Sequence, residues 1–227
     1  MKTKLTLIAL VCALALGSVP NAAAQWRREG ERVRGSGNVT TEKRDVSDFN
    51  IIAIQNATDI EITIGPEFSA VIEAEDNLLE YITTDVRRKT LYVDDVDGYS
   101  ISTRNGSTLK ITMPSLAGLE INGSSNVTAD GLKEELLVIE ISGSGDIALS
   151  GEAREVEVEI DGSGDVDARE FSAAEAVIEI NGSGDVRMKV SDHLDVNING
   201  SGDVTYYGEP RVRKRIYGSG DLRQRRP

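Results

Sequence analysis

Two neighbouring stretches decide the fold: LVIEISGSGDI (Leu137–Ile147) and its near copy VEVEIDGSGDV (Val156–Val166). In each, aliphatic residues two apart lead into a Gly-Ser-Gly-Asp corner, and another aliphatic residue follows it. Apolar residues at every second position mark a β-strand with one buried face. Working outward, Gly-Ser-Gly-Asp followed by Val, Ile or Leu recurs at Gly143, Gly162, Gly182, Gly200 and Gly218. A degenerate copy, GSSNV, starts at Gly123, and an isolated one, GSGNV, at Gly35. From Gly123 onward the copies start 20, 19, 20, 18 and 18 residues apart. A fixed period of this length marks a repeat architecture.

The columns around the corner say which one. Two residues before each Gly stand Ile121, Ile141, Ile160, Ile180, Ile198 and Ile216. Four before it stand Leu119, Ile139, Val158, Ile178, Val196 and Lys214. Val127, Ile147, Val166, Val186, Val204 and Leu222 open a second strand beyond the corner. Strand, corner, strand and return within 18–20 residues make one coil of a parallel β-solenoid. Stacked coils line the interior with aliphatic ladders, which accounts for an aromatic content of only 4%. The corner glycines are expected to supply positive φ. Lys214 in an apolar column predicts an exposed last coil, where Arg211, Arg213, Lys214 and Arg215 guard an open strand edge.

Charge and leader narrow the function classes. The chain has 227 residues and a net charge of −13, which argues against a nucleic-acid partner. Its single Cys and single His form neither a disulfide nor a Cys/His zinc site. Lys2 and Lys4, the apolar run Leu5–Leu16 and Ala22-Ala23-Ala24 read as a signal peptide over residues 1–24. The run is too short to span a bilayer and no other is longer, so no transmembrane segment is expected. Residues 25–44 carry a net +3, residues 45–210 a net −24 and residues 211–227 a net +6. The basic ends are solvated tails, or they dock weakly on an anionic surface such as a membrane or the acidic flank of another copy.

The first half is less regular. Asn50–Gln55, Asp59–Ile64, Ala70–Ala74 and Thr108–Met113 read as strands. Asp76-Asn77 is placed to cap a short helical turn, and Gly65-Pro66, Asp97-Gly98 and Asn105-Gly106 read as turns. The expected organisation is a signal peptide (1–24), a basic segment (25–35), a single solenoid domain (36–222) and a basic tail (223–227).

FNIIAIQNATDIEITIG (Phe49–Gly65), DNLLEYITTDV (Asp76–Val86), LKITMPSLAGLEINGSSNV (Leu109–Val127) and the later GSGD corners resemble the putative auto-transporter adhesin, head GIN domain family of bacterial secreted proteins. The resemblance covers about residues 36–225. It implies an all-β, right-handed parallel β-helix, similar to pectin-lyase-like folds without their catalytic residues, and a role in adhesion.

Two acidic columns are candidate sites. Asp146, Asp165, Asp185, Asp203 and Asp221 would stack roughly 5 Å apart. Each Asp either caps its own turn or contributes to a calcium ladder; Asn126 and Asn38 in the same position favour capping. No other cofactor is expected. Glu120, Glu140, Glu159 and Glu179 form an outer column, read as a solvated face or, if an enzyme, as acid–base groups acting on sugars. The reading is an exported, non-enzymatic binding or adhesion module of the periplasm, cell surface or exterior, with a glycan or protein ligand. The alternatives are a polysaccharide-active enzyme on the same scaffold, or an envelope accessory protein.

Overall fold

The computed structural model describes residues 31–226. The stretch read as a signal peptide, residues 1–24, lies outside these residues. The fold is all-β, with 65% strand and a β-solenoid of about five turns. The first half supplies β1 (Glu31–Arg34), β2 (Val39–Arg44), β3 (Ile51–Ile54), β4 (Asp59–Ile64), β5 (Ser69–Glu75), β6 (Ile82–Arg87), β7 (Thr90–Asp95), β8 (Tyr99–Ser102), β9 (Thr108–Met113) and β10 (Gly118–Ile121). The second half runs through β11 (Val127–Ile141), β12 (Ile147–Ile160), β13 (Val166–Ile180) and β14 (Val186–Gly200), each a strand bent around a whole coil. It closes with β15 (Val204–Tyr207), β16 (Arg211–Gly218) and β17 (Leu222–Arg225). The stretch expected as a tail from residue 223 is therefore strand through Arg225.

In the second half the coils stack in parallel and in chain order. Ile141 pairs with Ile160, Ile160 with Ile180, and Ile180 with Ile198. The apolar columns before and after each corner are buried from Leu119 to Val204. Phe171 is the largest wholly buried side chain. At Lys214 the core column reaches the surface, and Lys214 is exposed.

The corners show why glycine recurs. A Cβ on Gly143 would lie 2.1 Å from the Gly123 carbonyl oxygen, and one on Gly164 2.2 Å from that of Gly145. The backbone of the preceding coil occupies the space a side chain needs. This corrects the expectation of positive φ: only Gly200 and Gly218 among the GSGD glycines adopt it, and close approach sets the rule for the others. The coils are joined there by hydrogen bonds from Ser163 N–H to Gly143 O (2.9 Å) and Ser183 N–H to Gly162 O (2.8 Å).

The first half continues both sheets out of sequence. β3 lies between β7 and β10, and β4 between β9 and the start of β11, all in parallel. The coil β3–β4 thus sits inside the stack although it comes first in the chain. Antiparallel strands finish this end: β6 on β7, β5 on β9 and β2 on β5. β1 and β8 form a separate two-stranded ribbon. The helical turn is a 3₁₀ turn, Leu79–Tyr81, with Leu78 at its N-cap and no side-chain cap. Asp76 and Asn77 serve elsewhere. Asp76 accepts the Ser36 hydroxyl, which holds its carboxyl below the usual range. Asn77 accepts Ser36 N–H (2.8 Å) and donates to Arg34 O (2.8 Å). The isolated GSGN at Gly35 is therefore pinned to the cap and is not part of the corner stack.

Candidate functional site

The Asp column works between coils. Asp165 N–H donates to Asp146 Oδ1 (3.0 Å), Asp185 N–H to Asp165 Oδ1 (2.8 Å), Asp203 N–H to Asp185 Oδ1 (2.9 Å) and Asp221 N–H to Asp203 Oδ1 (2.8 Å). The spine starts in the first half, where Asp59 Oδ1 accepts Asn126 N–H (2.8 Å). Each side chain fastens the following coil, where capping of its own turn was expected. Asp221 has no coil after it and accepts Leu222 N–H of its own turn (2.8 Å). Arg187 lies 3.2 Å from Asp185 Oδ2, and Arg223 lies 3.0 Å from Asp203 Oδ2 and 3.1 Å from Asp221 Oδ2. Backbone donors and these guanidinium groups offset the like-charge repulsion along the column. Among the described residues, no group of three or more His, Cys, Asp or Glu is arranged to hold a metal ion.

The Glu column is a straight register of β10 to β13: Glu120, Glu140, Glu159 and Glu179, followed by Asn197 and Arg215. Burial, with Asp161, Glu179 and Glu140 beside it, pushes the Glu159 carboxyl above the usual range. Amides relieve its ends: Asn122 Nδ2 donates to Glu120, and Asn197 Nδ2 to Glu179 (3.3 Å).

Sequence reasoning missed a third feature, a groove of about 990 Å³ at the return bend of the coils. Five successive coils contribute to it, from Lys133 to Glu209. Small side chains, Ala153, Ala173, Ala174 and Val190, leave the space open. The coil length changes beside it, between β13 and β14. Ala168 pairs with Met188, yet the next pair is Ser172 with Lys189, so Arg169–Phe171 bulge opposite a tighter strand. The drop in repeat interval from 20 to 18 was the signal of this shorter coil.

The basic groups at this groove, Lys133, Arg154 and Lys189, each pair with a carboxylate. Arg154 lies 3.2 Å from Glu135, 3.0 Å from Glu155 and 3.9 Å from Glu175. The hydrogen bond that Arg154 donates to Glu155, with help from Glu135 and Glu175, raises its guanidinium above the usual range. Lys133 pairs with Glu152 (3.5 Å), and Glu134 accepts Leu116 N–H (2.8 Å). His193 is exposed in β14, beside Glu175 and Arg211 in the register. No helix among the described residues is long and apolar enough to cross a membrane.

Several solved structures share this fold. A putative adhesin from Bacteroides fragilis NCTC 9343 is 22% identical with a TM-score of 0.71, covering 85% of this chain and 100% of its own. A putative adhesin from Parabacteroides merdae ATCC 43184 is 20% identical with a TM-score of 0.55, covering 86% and 99%. A putative lipid binding protein from Parabacteroides distasonis ATCC 8503 is 22% identical with a TM-score of 0.55, covering 86% and 100%. No protein of curated function matches the chain. The family model described as putative auto-transporter adhesin, head GIN domain, matches residues 48–210. That match spans more than half of the sequence, and the chain belongs to this family.

Proposed function

We propose that the chain is an exported, non-enzymatic binding module of the bacterial envelope, an adhesin that holds an extended glycan or polypeptide along its solenoid axis. The observation that carries this reading is the groove crossing five coils. At about 4.8 Å per coil it is roughly 20 Å long, enough for about six residues of extended polypeptide. Small side chains admit a ligand, and the rim offers donors and acceptors at strand spacing. The adhesin descriptions of the family and of two structural neighbours agree with this role.

Catalysis on sugars would use carboxylates that converge on open space. Here Glu135, Glu155 and Glu175 converge on Arg154. That geometry favours passive binding over the polysaccharide-active alternative. The test is a glycan and matrix-protein array probed with residues 25–227, followed by titration of the hits. Ser172→Trp and Ala174→Trp, which fill the groove, are expected to weaken binding at least tenfold while the far-ultraviolet circular dichroism stays unchanged. Hits bound equally by wild type and both variants, or cleavage of a bound polysaccharide, overturn the reading.

A further inference from the structure

We propose that the last coil docks the solenoid end-on to the surface of an anionic lipid bilayer. Among the described residues β16 pairs only with β14, and β17 only with β15, so the stack ends here with an open edge. Residues 211–227 hold seven basic groups and one acidic. Arg213 and Arg223 are tied to Asp195, Asp203 and Asp221. Arg211, Lys214, Arg215 and Arg225 are exposed and make no salt bridge among the described residues. Charge alone would suffice to block pairing with another edge strand. This edge also exposes Tyr217 (66%) and Val212 (40%), which a purely protective edge would not carry. Unpaired cations flanking a Tyr and an aliphatic side chain suit the boundary between headgroups and acyl chains.

The charge pattern sets the orientation. Along the outer columns, Glu179 gives way to Asn197 and then Arg215, and Val177 to Asp195 and then Arg213. Glu179 on β13 is two strands from β16, roughly 10 Å. That is about one Debye length at moderate salt, so salt attenuates the repulsion of Glu179 and the coils beyond it while the cations of the end coil meet the lipid surface directly. The sheet faces of the acidic body are repelled by the same lipid surface, which excludes a side-on approach.

The experiment uses residues 25–227 and sedimentation with phosphatidylcholine vesicles, with and without phosphatidylglycerol. Wild type is expected to partition onto the phosphatidylglycerol vesicles alone and to be released by high salt. Each unpaired cation is worth about fivefold in partition. Replacing Arg211, Lys214, Arg215 and Arg225 together by Gln should therefore lower it by at least about a hundredfold. Val212→Ser with Tyr217→Ser should lower it several-fold. Ser172→Trp should leave it unchanged, which separates failure here from failure of the groove reading. Equal binding to both vesicles, or undiminished binding by the fourfold Gln variant, overturns the proposal. So does a soluble oligomer of the wild type that this variant abolishes, since the occupant would then be a second copy.

Discussion

The corner glycines of the coils and the turn glycines Gly37, Gly98 and Gly106 of the first half are required for different physical reasons. In the coils from β11 onward, a corner glycine is required because the preceding coil's carbonyl lies where a Cβ would be. In the first half, Gly37, Gly98 and Gly106 adopt φ of +89°, +85° and +78°, with nothing within 4 Å of an added Cβ. The coils are fastened by a repeated Asp-to-backbone bond. The N-terminal cap is fastened by one buried acid, Glu75, which accepts Gly37 N–H (3.1 Å), Asn105 Nδ2 (3.1 Å) and Arg104 N–H (3.3 Å). Repetition spreads the work over equivalent small bonds, and the irregular cap concentrates it.

The sharpest way to break this contrast is one substitution made in both halves. Gly164→Ala should cost more than about 4 kcal/mol or prevent folding, because two backbones collide. Gly106→Ala should cost about 1 kcal/mol, the strain of a left-handed residue in open space. Urea denaturation compares them, and equal costs would erase the distinction. Next in size is Glu75→Ala, at about 3 kcal/mol, since it strands three donors. Hydrogen exchange should show the loss confined to residues 31–44 and 99–107; uniform loss through β11–β14 would contradict it. Asp185→Ala should cost about 1 kcal/mol by orphaning Asp203 N–H, and Asp185→Asn less, since an amide oxygen still accepts.

The smallest effect concerns pH. Glu159 has a folded pKa above its ordinary value. Its protonated form is favoured in the fold, so stability is fully present below the ordinary carboxylate range and is lost as pH rises through the folded value. Glu159→Gln should therefore stabilise by a few tenths of a kcal/mol at neutral pH and do nothing at low pH, read from denaturation at both. A destabilised variant at neutral pH would show that the column is not under strain.

Legibility followed the same division. The coils were readable because period two and the 18–20-residue repeat fix the buried face and the neighbouring coil together. The coil order β9–β4–β11 was not, because an apolar alternation such as DIEITI (Asp59–Ile64) says which face is buried but not which strand lies alongside. Glu75 was invisible for a related reason: an acid ending SAVIEAE reads as a solvated strand end until Gly35 and Asn105 are folded over it. The Asp column was legible as a column, but its bonding direction required the stagger between coils. The shorter coil at β14 was encoded in two missing residues, whose place along the coil the interval alone does not give, and nothing in the repeat marked the groove.

Titration of an array-identified ligand against wild type and Ala174→Trp tests the binding account most directly. A groove that holds the ligand predicts at least a tenfold rise in Kd at an unchanged melting temperature. An unchanged Kd would contradict it and move the binding surface to the flat acidic face.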